Sequence, residues 1–200
     1  MGTPWDRAAR GYLEEWVPRF VPYHLDLVQE LALRPGERVL VTSAGPGAEV
    51  LAVARCVGGS GFVRATDRSA EMVRIAREQV ERAGFAGTAE CAEADAADAS
   101  GGPWGAVVCA FGLWQLQDRV KALRAWGASL GPRGKVGIIT WGPSEASEPF
   151  KLLGAALREV EPGLAAPDPH VHAERDAMAA MFDAAGLAMV RHTLVRHTLS

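Results

Sequence analysis

The chain has 200 residues, a formal net charge of −3 and 48% hydrophobic residues. That length suits one domain with a single substantial core, and the charge balance and apolar content exclude a disordered chain and a nucleic-acid binder. No apolar run reaches the ~18–20 residues of a membrane span and Met1–Arg7 lacks the apolar core of a signal peptide, so no membrane partner and a cytoplasmic location are expected.

Leu13, Trp16, Val17, Phe20 and Val21 recur at helical spacing, and Pro18 and Pro22 are expected to cut that stretch into two short helices. A helix from Tyr23 to Leu33 should stop at Arg34-Pro35-Gly36. A first strand, Arg38–Ser43, then meets Gly45-Pro46-Gly47 and a helix from Ala48 to Val57. Gly58-Gly59-Ser60-Gly61 breaks that helix before a second strand, Phe62–Thr66. Ser69 is the expected N-cap, with Glu71 in the first turn, of a helix running to Ala83. Gly84 and Gly87 mark the turn into a third strand, Thr88–Glu93. Ala106–Phe111 is a short apolar run suited to a strand buried on both faces.

Asp118 is expected to cap a helix through Leu130, and Gly131-Pro132-Arg133-Gly134 to turn into a fifth strand, Lys135–Trp141. One helical pattern, Phe150–Val160, lies within the Pro-, Glu- and Ala-rich stretch 143–170. A helix from Ala173 to Ala185 should lead through Gly186 into a last strand. That strand would hold the tandem repeat Val190-Arg191-His192-Thr193-Leu194 and Val195-Arg196-His197-Thr198-Leu199. Its odd period puts the two histidines on opposite faces, so it reads as a duplication in an edge strand rather than a metal site. Cys56, Cys91 and Cys109 share no metal-ligand spacing and read as free thiols. No metal is expected.

Strands alternating with helices at this spacing give an α/β fold: a Rossmann-like, doubly wound, mostly parallel sheet with helices on both faces. The chain divides into an N-terminal helical cap (1–34), a cofactor-binding core (35–142), a substrate-side insertion (143–172) and a C-terminal helix and strand (173–200). A strand that turns on glycines lets a ligand lie against bare backbone at a helix N-terminus. Asp67, twenty residues past Gly47 at the tip of the next parallel strand, can accept hydrogen bonds from both hydroxyls of a ribose. The pair points to a nucleoside-containing cofactor. A nicotinamide enzyme fits least, because Val50 stands at the third glycine of that fingerprint and a Tyr-x-x-x-Lys pair is missing.

The residues resemble class I S-adenosylmethionine-dependent methyltransferases, the small-molecule, quinone-biosynthesis-like branch. The resemblance rests on Trp5-Asp6-Arg7-Ala8-Ala9 with Tyr12, Arg34-Pro35-Gly36-Glu37-Arg38-Val39-Leu40, Gly45-Pro46-Gly47 and Thr66-Asp67-Arg68-Ser69-Ala70-Glu71-Met72. Ala94-Asp95-Ala96, Phe111-Gly112-Leu113, Leu130-Gly131-Pro132-Arg133-Gly134-Lys135-Val136 and Trp141-Gly142-Pro143 follow in the expected order. The resemblance implies S-adenosyl-L-methionine as cofactor, held by Tyr12, Ser43, Gly45, Pro46, Gly47, Asp67, Arg68, Met72, Asp95, Ala96 and Phe111. In it Gly45 and Gly47 approach the methionine part, Asp67 holds the ribose, Met72 packs beside the adenine, and Asp95 with the Ala96 N–H meets the adenine edge. Tyr12 would close over the site.

The acceptor side is assigned to Tyr23, Trp114, Gln115 and Trp141, the two tryptophans lying at C-terminal ends of strands. They suggest a small apolar or aromatic acceptor. His170 is the candidate base, ahead of His24 and His172; each of the three reads more readily as a surface histidine. The chain departs from the family pattern in having Val41 for an acidic residue, Ser43 for glycine and Gly105 for aspartate. It also ends after one C-terminal strand, without the seventh, antiparallel strand, which would leave an edge for a loop or a homodimer partner to cover. Those departures define a second reading, a non-catalytic methyltransferase-like binding or dimerisation protein with weakened cofactor binding. Asp67→Ala is expected to abolish adenosyl-cofactor binding and leave the fold intact.

Overall fold

The structure is a computed structural model that describes residues 2–142, 155–156, 159–160 and 174–197. Five strands, β1 (Arg38–Thr42), β2 (Phe62–Asp67), β3 (Ala89–Glu93), β4 (Trp104–Ala110) and β5 (Leu130–Ile139), form one sheet in the order β3-β2-β1-β4-β5. All pairings are parallel. Between them run α3 (Ala48–Val57), α4 (Ala70–Arg82) and α5 (Arg119–Ala128), after α1 (Pro4–Gly11) and α2 (Val17–Leu31) and before α6 (Arg175–Ala184).

The period-two alternation of the strands separates two cores. Val39, Val41, Val63, Ala65, Ala106 and Val108 pack against Val50, Val53 and Val57 of α3 and Val73 and Val80 of α4. Leu40, Val107 and Cys109 point the other way, onto Leu123 and Trp126 of α5 and Met178 and Met181 of α6. Because the order reverses direction between β1 and β4, their connecting segments diverge there and open a crevice at the strands' C-terminal ends.

Three expectations need correction. The N-terminal stretch is one continuous helical run, with a π-helical turn, Tyr12–Trp16, between α1 and α2. The Val17 N–H reaches back to the Tyr12 carbonyl, and this widened turn makes room for Pro18 just inside α2, while Pro22 sits within the helix without ending it. The Gly131–Gly134 turn lies inside β5 as a bulge: Trp104 pairs with Leu130 but Ala106 with Lys135, and Arg133 takes φ +63°.

Among the described residues the expected last strand is absent, since 187–197 form no ladder. That segment lies along α2, where Glu30 pairs with Arg191 at 2.5 Å and Asp26 meets His197 Nε2 at 2.7 Å. Two acidic residues one turn apart hold it on the helix, and His197 serves as a hydrogen-bond partner of Asp26 rather than as a sheet side chain. Of the expected Phe150–Val160 helix, 155–156 and 159–160 are helical; the remainder, with His170 and His172, lies outside the described residues.

Candidate functional site

The turn after β1 is held in unusual backbone. Ser43, Gly45 and Gly47 take φ of +51°, +50° and +93°, which only glycine adopts without cost. A Cβ on Gly45 would meet nothing within 4 Å, so its bare backbone faces open space, whereas one on Gly47 would stand 3.1 Å from Ala76 Cβ. Gly45 thus presents bare backbone to open space, and Gly47 is the contact that lets α3 lie close on α4. Pro46 is buried behind the turn.

Asp67 ends β2 beside this turn. Its Oδ2 accepts the Gly45 N–H at 2.9 Å and its Oδ1 accepts the Ser69 N–H at 2.9 Å, tying the glycine turn to the start of α4. Burial raises its pKa, against the pull of the Ser69, Gly45 and Arg68 N–H groups. Each oxygen keeps a second lone pair for a ligand.

A cleft of about 310 Å³ opens over this point, lined among others by Tyr12, Ser43, Gly45, Asp67, Arg68, Met72, Ala96, Phe111 and Gln115. Thr3, Pro4 and Trp5 form a wall that sequence reasoning left out of the site. The signal was local: Thr3 caps α1, Pro4 opens it, and the Asp6 carboxylate returns a bond to the Thr3 N–H. Asp6 Oδ1 also accepts the Ser69 hydroxyl at 2.5 Å and the Glu71 N–H at 3.2 Å. The Ser69 hydroxyl bond leads in lowering the Asp6 pKa to about 2. One carboxylate therefore clamps α1 to the N-terminus of α4, and Ala9 packs with Met72 and Ile75 below the clamp.

The cleft's other side is aromatic. Phe111, at φ +56° directly after β4, stacks obliquely on Phe20 with ring centres 4.7 Å apart and on Trp141 at 5.2 Å. A bulky residue held in left-handed backbone marks a position fixed by its surroundings. Tyr23 sits behind it, edge-on to Phe111 at 6.1 Å, its hydroxyl accepting the His197 N–H. Tyr23, Trp114 and Trp141 do not line the cleft; Gln115 does, with Leu116. Asp95 also lies outside it. Its side chain is exposed, accepts the Ala97 N–H at 2.9 Å, and stands 3.9 Å from exposed Arg68. Its neighbour Ala96 is buried at the cleft, its carbonyl accepting the Trp126 indole N–H at 2.7 Å.

Two titratable groups lie buried below Tyr12. Glu49, in the first turn of α3, has its Oε2 4.0 Å from His24 Nδ1 of α2. Burial raises the Glu49 pKa to about 8, with Asp67 adding to the rise, and lowers that of His24 to about 4. His24 is accordingly no surface histidine; it is neutral at pH 7. Gly105, by contrast, opens β4 beside the Arg38 carbonyl, at the sheet end away from the cleft.

The residues suit an adenosyl cofactor. Gly45 presents bare backbone to the cleft, a carboxylate with spare lone pairs stands at the next strand tip, and Met72 offers an apolar surface beside it. A family described as a methyltransferase domain matches residues 39–134. The ubiquinone/menaquinone biosynthesis C-methyltransferase UbiE of Ralstonia pickettii is 28% identical over 183 residues, spanning 82% of this chain and 73% of that protein. Of two further proteins of that name the chain spans 47% and 55%.

Among solved structures, a SAM dependent methyltransferase from Aquifex aeolicus superposes with a TM-score of 0.64 at 21% identity, covering 80% of this chain and 77% of its own. A SAM-dependent methyltransferase from Geobacter sulfurreducens, in complex with S-adenosyl-L-homocysteine, gives 0.61 at 22%, covering 82% and 63%. With the 3-2-1-4-5 parallel order, the glycine turn and the strand-tip carboxylate, these likenesses give the chain a methyltransferase-domain match over residues 39–134 and the fold of S-adenosylmethionine-dependent methyltransferases.

Proposed function

We propose that the protein transfers a methyl group from S-adenosylmethionine to a small apolar or aromatic molecule. The observation that carries this reading is the junction at Asp67, where one carboxylate reaches the glycine turn and still faces the cleft. When bound, the cofactor supplies an electrophilic methyl carbon on a sulfonium. Asp67 accepts the ribose hydroxyls, the Gly45 backbone lets the ligand lie close, and Met72 covers one apolar face. Phe111 forms the aromatic wall against which the acceptor is held, backed by Phe20 and Trp141. Alignment of acceptor and methyl carbon with water excluded can contribute ~7–11 kcal/mol, which leaves no covalent task for a side chain.

The aromatic wall and the quinone-pathway name of the relative in Ralstonia pickettii both favour an aromatic acceptor. His170 remains the proposed base for a hydroxyl acceptor. Among the described residues no helix is long and apolar enough to cross a membrane, and three free cysteines fit a cytoplasmic protein. Calorimetric titration with S-adenosylmethionine and S-adenosylhomocysteine tests the reading. Micromolar binding of both, followed by methyl transfer to aromatic acceptors, is the expected result. Absence of heat at millimolar ligand would replace it with the non-catalytic reading, in which Val41 and Ser43 have cost the site its cofactor.

A further inference from the structure

Glu49 is a buried carboxyl that the cofactor reading so far leaves without a task. Its side chain is 5% exposed, and among the described residues no lysine or arginine pairs with it. Its facing groups come from four elements: His24 of α2, Tyr12 of the π turn, Asp67 at the end of β2 and Cys109 of β4. None of the four carries a positive charge at neutral pH, and His24 Nδ1 has no hydrogen-bond partner. A buried carboxyl without a cation is costly as an anion, yet Tyr12 and Asp67, which feel its charge, both line the cleft.

The cofactor has two cationic centres, the sulfonium and the ammonium of its amino-acid end. Glu49 itself lies beneath the cleft lining, four residues past Gly45 in the first turn of the helix that the glycine turn opens. Strand β1 supplies no acid there, because Val41 is fully buried among apolar side chains. We propose that Glu49 is the carboxylate that receives the ammonium group of the bound cofactor, a positioning role resting on the cofactor reading above. The empty site holds Glu49 protonated at neutral pH, so seating the ammonium expels a proton from it. His24, neutral at pH 7, gives the carboxyl a polar neighbour.

The test uses two ligands that share the adenosyl thioether, S-adenosylhomocysteine and 5′-methylthioadenosine, the second lacking the amino-acid end. Calorimetric titration of the wild type and Glu49→Gln is expected to show about ten- to hundredfold weaker S-adenosylhomocysteine binding in the variant. Methylthioadenosine affinity should stay within twofold. In the wild type alone, S-adenosylhomocysteine affinity should rise about tenfold per unit between pH 6 and pH 7.5 and level off above about 8, while methylthioadenosine stays flat. The second ligand also removes Asp67 from the comparison, since both carry the ribose, and the wild-type profile needs no folded variant. Equal affinity of variant and wild type for S-adenosylhomocysteine, equal losses for both ligands, or a flat wild-type pH profile would overturn the assignment of Glu49 and leave the cofactor reading standing. A wild type that binds neither ligand overturns both.

Discussion

Replacing Asp67 with asparagine separates the two tasks of that side chain. The carboxylate now accepts one N–H on each oxygen, from Gly45 and Ser69, both at 2.9 Å. Asparagine keeps one acceptor and turns an NH₂ group toward the other N–H, so one charge-assisted bond is lost and two donors face each other in a part-buried site. That costs about 1.5–3 kcal/mol, which a domain of ordinary stability survives but a urea titration resolves. The expectation that Asp67→Ala spares the fold is therefore revised: alanine orphans both N–H groups and should destabilise more than asparagine. Ribose recognition falls as well. Affinity for S-adenosylhomocysteine and for methylthioadenosine should drop together, by tenfold or more at about 1.4 kcal/mol per factor of ten. An Asp67→Asn protein with an unchanged urea midpoint and ligand affinities within twofold of wild type would refute the reasoning.

Ser43 and Gly112 form a coupled pair. A Cβ on Gly112 would stand 2.4 Å from Ser43 Cβ and 3.2 Å from Cys109 Sγ, so Gly112→Ala should destabilise by about 1–3 kcal/mol. Ser43→Gly relieves the left-handed serine and should stabilise by about 0.5–1 kcal/mol after glycine's entropic cost; the double variant should recover much of the Gly112→Ala loss, and a chemical-denaturation cycle with no coupling would contradict this. Glu49 has a folded pKa of about 8, above its unfolded value, so its contribution is complete below about pH 4.5 and is lost as pH rises through 8. Glu49→Gln should flatten the decline in melting temperature over that window. Asp6 has a folded pKa of about 2, below its unfolded value, so its contribution holds above about pH 4 and disappears as pH falls toward 2. Trp5 fluorescence in an otherwise Trp-to-Phe background should report α1 leaving α4 in that range, and Asp6→Asn should remove the acid transition.

The strands, the glycine turn and the Ser69 cap were legible because each is set by local chemistry. Period-two apolar residues, glycine at positive φ and a serine accepting the Met72 N–H at 3.2 Å need no distant partner. What escaped depends on partners far along the chain. Pro18 and Pro22 looked like breaks, but a π turn absorbs them. Residues 187–197 carry a strand-like composition, yet Asp26 and Glu30, some 160–170 positions away, hold the segment on α2. Asp95 sits in the right motif, but its carboxylate is used within its own loop. Glu49 carried no motif at all: an acid in a helix's first turn is ordinary, and only the packing of α2 across it makes it unusual.

The Asp6 clamp bears on how a ligand could enter and leave the cleft. The wall it holds, Thr3 to Trp5, closes one side of the cleft, and its polar attachments to α4 are the two bonds to Ser69 and Glu71. A ligand whose way out ran past that wall would need the N-terminal helix to lift, and the lifetime of such a complex would then depend on a residue outside the cleft lining. Loosening the clamp would speed entry and departure alike and leave the ratio of the two nearly unchanged. In a transferase whose spent cofactor has to depart before each new cycle, the first turn of the chain would then govern turnover.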